Sequence, residues 1–138
     1  MKIMISACLM GENCKYDGKN NLNEKALGLA EGNEIIAVCP ELMGGLKAPR
    51  HPCEIVNGRV FGRDGTDVDA EFRRGARKCL ELALKEQPEL VVMQPRSPSC
   101  GAGRIYDGTF SGRLIDGNGV TAQMLIDNGF KVVTIDNA

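Results

Sequence analysis

The side chains of this chain that could do chemistry are its six cysteines (Cys8, Cys14, Cys39, Cys53, Cys79 and Cys100) and a few polar residues beside three of them. Without an export signal, a cysteine is expected to be a free thiol, serving as a metal ligand, a nucleophile or a small buried hydrophobe. Glu41 follows Cys39 by two residues. It could act as general base towards water near a metal centre, or be a solvated loop residue. Ser97 and Ser99 flank Pro98 just before Cys100. Their hydroxyls could bond a substrate or a cluster sulfide, or satisfy a local turn. Arg50 and Arg96 stand in similar loops, where a guanidinium could fix a substrate oxygen or the edge of a heterocycle. His51, the sole histidine, reads as a surface residue. A phosphatase-type cysteine is excluded. Cys8 is followed by one glycine, no arginine and Glu12, which would repel an anion.

Which thiols can meet depends on the elements that carry them. Residues 2–9 read as a short apolar strand. Asn23 can cap a helix over 24–30, with Leu27 and Ala30 on one face and Gly32 as its stop. Residues 34–38 are a second apolar strand, ended by Cys39-Pro40, and an irregular stretch follows. Residues 55–61 form a hairpin on Asn57-Gly58, a pair suited to a turn with two positive φ angles. Thr66 with Asp69 reads as a capping box for a helix over 67–86. Its apolar stripe is Val68, Phe72, Gly75, Ala76, Cys79, Leu80 and Ala83. Residues 90–93 are a third strand, 96–101 a compact loop, and 105–110 a second small hairpin on Asp107-Gly108. A helix over 119–128, closed by Gly129, leads to a last strand over 131–135. Strands alternating with helices predict an α/β fold. The expectation is a single three-layer domain, residues 1–138, with a four-stranded parallel sheet flanked by helices, Rossmann-like or flavodoxin-like, carrying small β-hairpin insertions.

Ligands of open parallel sheets sit beyond the carboxyl ends of the strands. Cys8 and Cys39 fall at two such ends and Cys100 in the loop after a third. Thiolates gathered there would favour zinc, copper(I) or an iron–sulfur centre. The spacing differs from the paired knuckles of structural zinc sites, and a cubane with three cysteine ligands leaves one iron open. Buried packing is the alternative for each thiol. Cys79, inside the helix stripe, reads as structural. Cys14 and Cys53 lie in loops, where either could be a fourth ligand or a resolving thiol.

Composition excludes other classes. Lys plus Arg number 17 against 18 acids, a net charge of -1, without the basic excess of a nucleic-acid binder. No run approaches the roughly 18–20 apolar residues of a membrane span. The first residues lack the apolar stretch and cleavage site of a signal peptide, so a cytoplasmic location is expected.

Several motifs together resemble a known family. They are Ser6-Ala7-Cys8-Leu9, Tyr16-Asp17-Gly18, Cys39-Pro40-Glu41, Gly44-Gly45-Leu46 with Pro49-Arg50, Arg96-Ser97-Pro98-Ser99-Cys100-Gly101, Ile105-Tyr106-Asp107-Gly108, Phe110-Ser111-Gly112 and Gly119-Val120-Thr121-Ala122. In this order they resemble the thiouracil desulfidases, formerly domain of unknown function 523. His51 and Cys53 depart from the pattern, standing where proline and alanine are expected. The resemblance implies a [4Fe-4S] cluster on Cys8, Cys39 and Cys100, its open iron a Lewis acid for a thiocarbonyl. It implies Glu41 as acid/base residue and Ser97 as its assistant; Ser99, Arg50 and Arg96 are expected substrate contacts from their loop positions. The implied reaction converts 2-thiouracil and water to uracil and hydrogen sulfide without net redox change. The rival readings are an iron–sulfur sulfide carrier without turnover of free thiobases, and a structural zinc or plain thiol domain. The expected partner is a small thiolated molecule, with no nucleic acid and no membrane, and the expected state a monomer or weak dimer.

Overall fold

The computed structural model describes residues 1–138. In chain order the elements are β1 (Lys2–Ser6), α1 (Glu24–Ala30), β2 (Glu34–Val38), α2 (Pro40–Met43), β3 (Cys53–Val56), β4 (Arg59–Gly62), α3 (Asp69–Glu86), β5 (Leu90–Met93), β6 (Arg104–Tyr106), β7 (Leu114–Asp116), α4 (Val120–Asp127) and β8 (Val132–Thr134). Single 3-10 turns, Ala7–Met10 and Ile135–Asn137, follow β1 and β8. No helix is long and apolar enough to cross a membrane.

The central sheet has the order β2-β1-β5-β8, all parallel. Side chains alternate along a strand, so each inner strand feeds two cores. Ile3, Ile5 and Val92 pack with Leu9, Ala26 and Ile135 on one face. Met4, Val91 and Met93 pack with Cys79, Ala83 and Leu125 on the other. This is the expected α/β architecture, helices on both faces of a four-stranded parallel sheet. The chain moves outward from β1 to β2, then crosses back to β5. The strand order therefore reverses between β1 and β5, the topological switch point at which α/β sheets open a crevice.

The β3–β4 hairpin turns on Asn57-Gly58, with φ of 50° and 82°, as the Asn-Gly signal predicts. Its Val60 packs with Phe72 and Ala76 of α3 and Val120 of α4 in a third cluster. The α3 stripe is buried as expected, and Cys79 is wholly inside it, 3.7 Å from Met4 Sδ. Burial alone raises the Cys79 thiol to about 12.

Five local expectations are corrected. The first strand ends at Ser6, so Cys8 sits in the 3-10 turn and not in the strand. The stretch after Cys39 begins with a helix, α2, whose Pro40 suits the first helical position because no N–H is needed there. On α1, Ala26 faces the core and Leu27 faces solvent. Asn23 caps that helix as predicted, its side chain accepting from Ala26 N at 3.2 Å. Thr66 does not cap α3. Its hydroxyl donates to Asp64, and Asp69 is spent accepting from Val60 N at 3.1 Å. The second hairpin does not turn on Asp107-Gly108 alone: β6 and β7 are joined by the whole segment 107–113.

Candidate active site

The crevice between β1 and β5 opens into a cavity of about 550 Å³. Its floor is tied across the switch point by Ser6, which accepts from Gln94 N at 2.9 Å and lies 3.3 Å from Met93 Sδ. Cys8, Cys39 and Cys100 all line it, together with Glu41, Arg50, Arg96 and Ser97. Ser99, the remaining residue singled out from sequence, does not.

Each ligand candidate is held by a different device. Cys8 rides in the 3-10 turn that ends at Gly11, whose φ of 94° stops it. Cys39 follows β2 and stands at the N-cap of α2, its thiol 3.9 Å from Cys14 O. Cys100 belongs to a loop locked onto the start of α4. Pro98 O accepts from Val120 N at 2.8 Å, and Ser99 O accepts from Thr121 N and Ala122 N at 2.9 and 3.1 Å. Those carbonyls satisfy orphan donors of α4. Gly119 permits the approach, since a Cβ there would lie 2.5 Å from Ser99 O.

Cys14, which sequence alone left in a loop, lies beside the thiols of both Cys8 and Cys39. Hydrogen bonding to Cys14, then to the Leu42 N–H, with the Arg50 charge, draws Cys39 down to about 7. Cys14, then the Asn21 amide 3.7 Å away, lowers Cys8. The Cys14 proton is shared towards both neighbours, which raises Cys14 itself. Burial raises Cys100, opposed by a hydrogen bond with Ser6. Cys53 also lines the cavity, and burial, with the Glu41 charge nearby, lifts it to about 11.

Arg50 does not present a free guanidinium to the cavity. Its Nε donates to Glu41 Oε2 at 2.8 Å and a terminal nitrogen donates to the same oxygen. The other terminal nitrogen donates to Cys14 O at 3.0 Å and Lys47 O at 3.1 Å. Both side chains are largely buried, 11% and 15% exposed. Glu41 Oε1 takes no protein donor, and the residue lines the cavity. Ser97 Oγ accepts from Ser99 N and Cys100 N, both at 3.0 Å, so the loop is built on it. Having accepted twice, that hydroxyl has its proton left to offer. Ser99 points instead into the protein, 2.8 Å from Thr121 Oγ1. Arg96 is exposed at the rim in a left-handed conformation, φ 68°. His51 pairs loosely with Asp64 at 3.6 Å on the surface.

No three Cys, His, Asp or Glu side chains gather closely enough to hold one metal ion. Around a single zinc, sulfurs at about 2.3 Å from the metal stand under ~4 Å apart. Several thiols lining one cavity are the donor type that iron–sulfur groups take. The donors are soft, and two of the three are already drawn towards the thiolate that binds metal. The site therefore fits an iron–sulfur group.

Comparisons with known proteins agree with this chemistry. A family model described as 2-thiouracil desulfurase matches residues 3–137. The chain is 38% identical over 142 residues to the uncharacterized protein YbbK of Bacillus subtilis (strain 168), with 96% of this chain and 94% of that one covered. It is 42% identical to a solved structure, the [4Fe-4S]-dependent thiouracil desulfidase TudS, covering 99% of this chain and 91% of that one at a TM-score of 0.91. The chain belongs to the 2-thiouracil desulfurase family.

Proposed function

We propose that this protein is an iron–sulfur-dependent desulfidase. It takes a small thiolated heterocycle such as 2-thiouracil and water to uracil and hydrogen sulfide, without net redox change. The observation that carries this reading is the meeting of Cys8, Cys39 and Cys100 with a clamped carboxyl group, Glu41, on one cavity. Those three cysteines hold a [4Fe-4S] cluster. When bound, the cluster supplies Lewis acidity at the one iron without a protein ligand.

The remaining chemistry belongs to the chain. Glu41 Oε1 takes the proton of a water poised at the thiocarbonyl carbon. Arg50 fixes the direction of that oxygen by holding Oε2 from two nitrogens. Ser97 donates its hydroxyl hydrogen towards the cavity, where negative charge gathers as the carbon–sulfur bond breaks. The substrate occupies the space between the thiols and the rim.

Anaerobic reconstitution tests the assignment. About four irons per chain are expected, lost in Cys8→Ala, Cys39→Ala and Cys100→Ala and kept in Cys79→Ala. Glu41→Ala keeps the iron and stops hydrogen sulfide release from 2-thiouracil. Stoichiometric zinc without iron, or full turnover in Glu41→Ala, would overturn it. A protein that binds sulfide yet never turns over free thiobase would be a carrier instead.

A further inference from the structure

A second carboxyl group faces the cavity and has no place in the chemistry above. Glu54 is 7% exposed, on β3. Its Oε1 accepts from Gly108 N at 2.9 Å and from Phe110 N at 3.1 Å. These bonds pin the segment 107–113 to β3, and Tyr106 and Phe110 form part of the cavity wall. No protein donor reaches Oε2 and no cation pairs with Glu54. No fully buried side-chain oxygen or nitrogen of the protein lacks a partner. Glu54 Oε2 is therefore not sealed inside the protein, and the residue lines the cavity. An acceptor that keeps this access is free to take a donor from whatever occupies the cavity.

Glu54 thus differs from Glu41. Glu41 is held by a guanidinium and suits proton transfer. Glu54 is held by two neutral amides and offers a fixed acceptor on the cavity that the thiols also line. A thiolated pyrimidine carries ring N–H groups beside its thiocarbonyl, and these are donors.

We infer that Glu54 is a substrate-binding and specificity-determining residue: its open oxygen accepts a ring N–H of the heterocycle and selects molecules that carry a donor there. The inference rests on the desulfidase reading and deepens it. It implies that thiolated heterocycles lacking that N–H are poor substrates even when their thiocarbonyl is intact.

Glu54→Gln is the discriminating variant. An amide can keep its oxygen on Gly108 N and Phe110 N, so the segment 107–113 stays anchored, while an NH2 group replaces the open acceptor. The ligands are uracil, 1-methyluracil and 3-methyluracil, titrated by calorimetry into cluster-loaded protein, with 2-thiouracil turnover measured alongside. In the wild type, methylation at one of the two nitrogens weakens binding strongly. Glu54→Gln should bind uracil roughly 10- to 100-fold more weakly, raise KM more than it lowers kcat, and keep its iron. Its preference for uracil over that methyl derivative should collapse. A variant that loses affinity for all three ligands equally would mean that Glu54 only anchors the segment, overturning the inference. A variant that binds and turns over like the wild type would also overturn it, leaving the desulfidase reading intact. A wild type that neither binds uracil nor desulfurates 2-thiouracil would overturn both.

Discussion

Gly75 is a glycine that must not become alanine, although it sits in the middle of an 18-residue helix. On propensity alone, Gly→Ala inside a helix stabilises by about 0.5–1 kcal/mol. Here α3 lies directly against α2. A Cβ on Gly75 would stand 1.9 Å from Pro40 O, and one on Gly44 would stand 2.0 Å from Glu71 O. Both obstacles are backbone, so no side chain can swing aside. The helices would have to part by more than an ångström. Overpacking of this kind costs about 1–3 kcal/mol, and the wide separation needed points to the upper half of that range. Less the propensity gain, Gly75→Ala should lose about 1–2.5 kcal/mol. At roughly 4 °C per kcal/mol for a chain of this length, melting falls by about 4–10 °C. Gly28 is the matched control: it lies inside α1 with nothing within 4 Å of its would-be Cβ. Gly28→Ala should gain about 0.5–1 kcal/mol. Urea unfolding of both variants, read by midpoint at unchanged slope, measures the difference. Because α2 carries Glu41, the Gly75 variant should also lose turnover. If Gly75→Ala is stabilised as Gly28→Ala is, the close α2–α3 packing that places Glu41 is wrong.

Arg50→Lys should keep iron but cut turnover about tenfold to a hundredfold, since an ammonium cannot hold Glu41, Cys14 O and Lys47 O together; steady-state rates at equal iron content measure it. Ser97→Ala removes the acceptor for two backbone N–H groups. It should lower stability by about 1–2 kcal/mol in urea unfolding and weaken cluster retention. Cys79→Ala should lose about 1 kcal/mol from the core, with iron content and turnover per iron unchanged.

What could be read beforehand depended on how local its causes are. The β1, β2 and β5 runs, the Asn57-Gly58 turn and the α3 stripe each rest on residues near one another in sequence, and all formed. Strand ends then brought Cys8, Cys39 and Cys100 to one crevice without any structure. Features with distant causes were hidden. Cys14 joins the thiols because its loop folds under Arg50. Ser99 turns away because Thr121, on α4, takes its hydroxyl. Arg50 seemed free for substrate until Glu41 was seen to occupy it. The partners of Glu54 lie 54 and 56 residues along the chain, beyond any periodicity. Gly75 looked like an ordinary small member of the stripe, and only α2, a helix too short to announce itself, explains it.

The central claim is that water, directed by Glu41, replaces sulfur on the substrate carbon. It is tested most directly by anaerobic turnover of 2-thiouracil in oxygen-18-labelled water, with the cluster-loaded protein and no added reductant or oxidant. The account predicts one labelled oxygen in each uracil formed, one hydrogen sulfide released with it, and neither product from Glu41→Ala. Unlabelled uracil, or sulfur release that depends on an added electron donor, would contradict it.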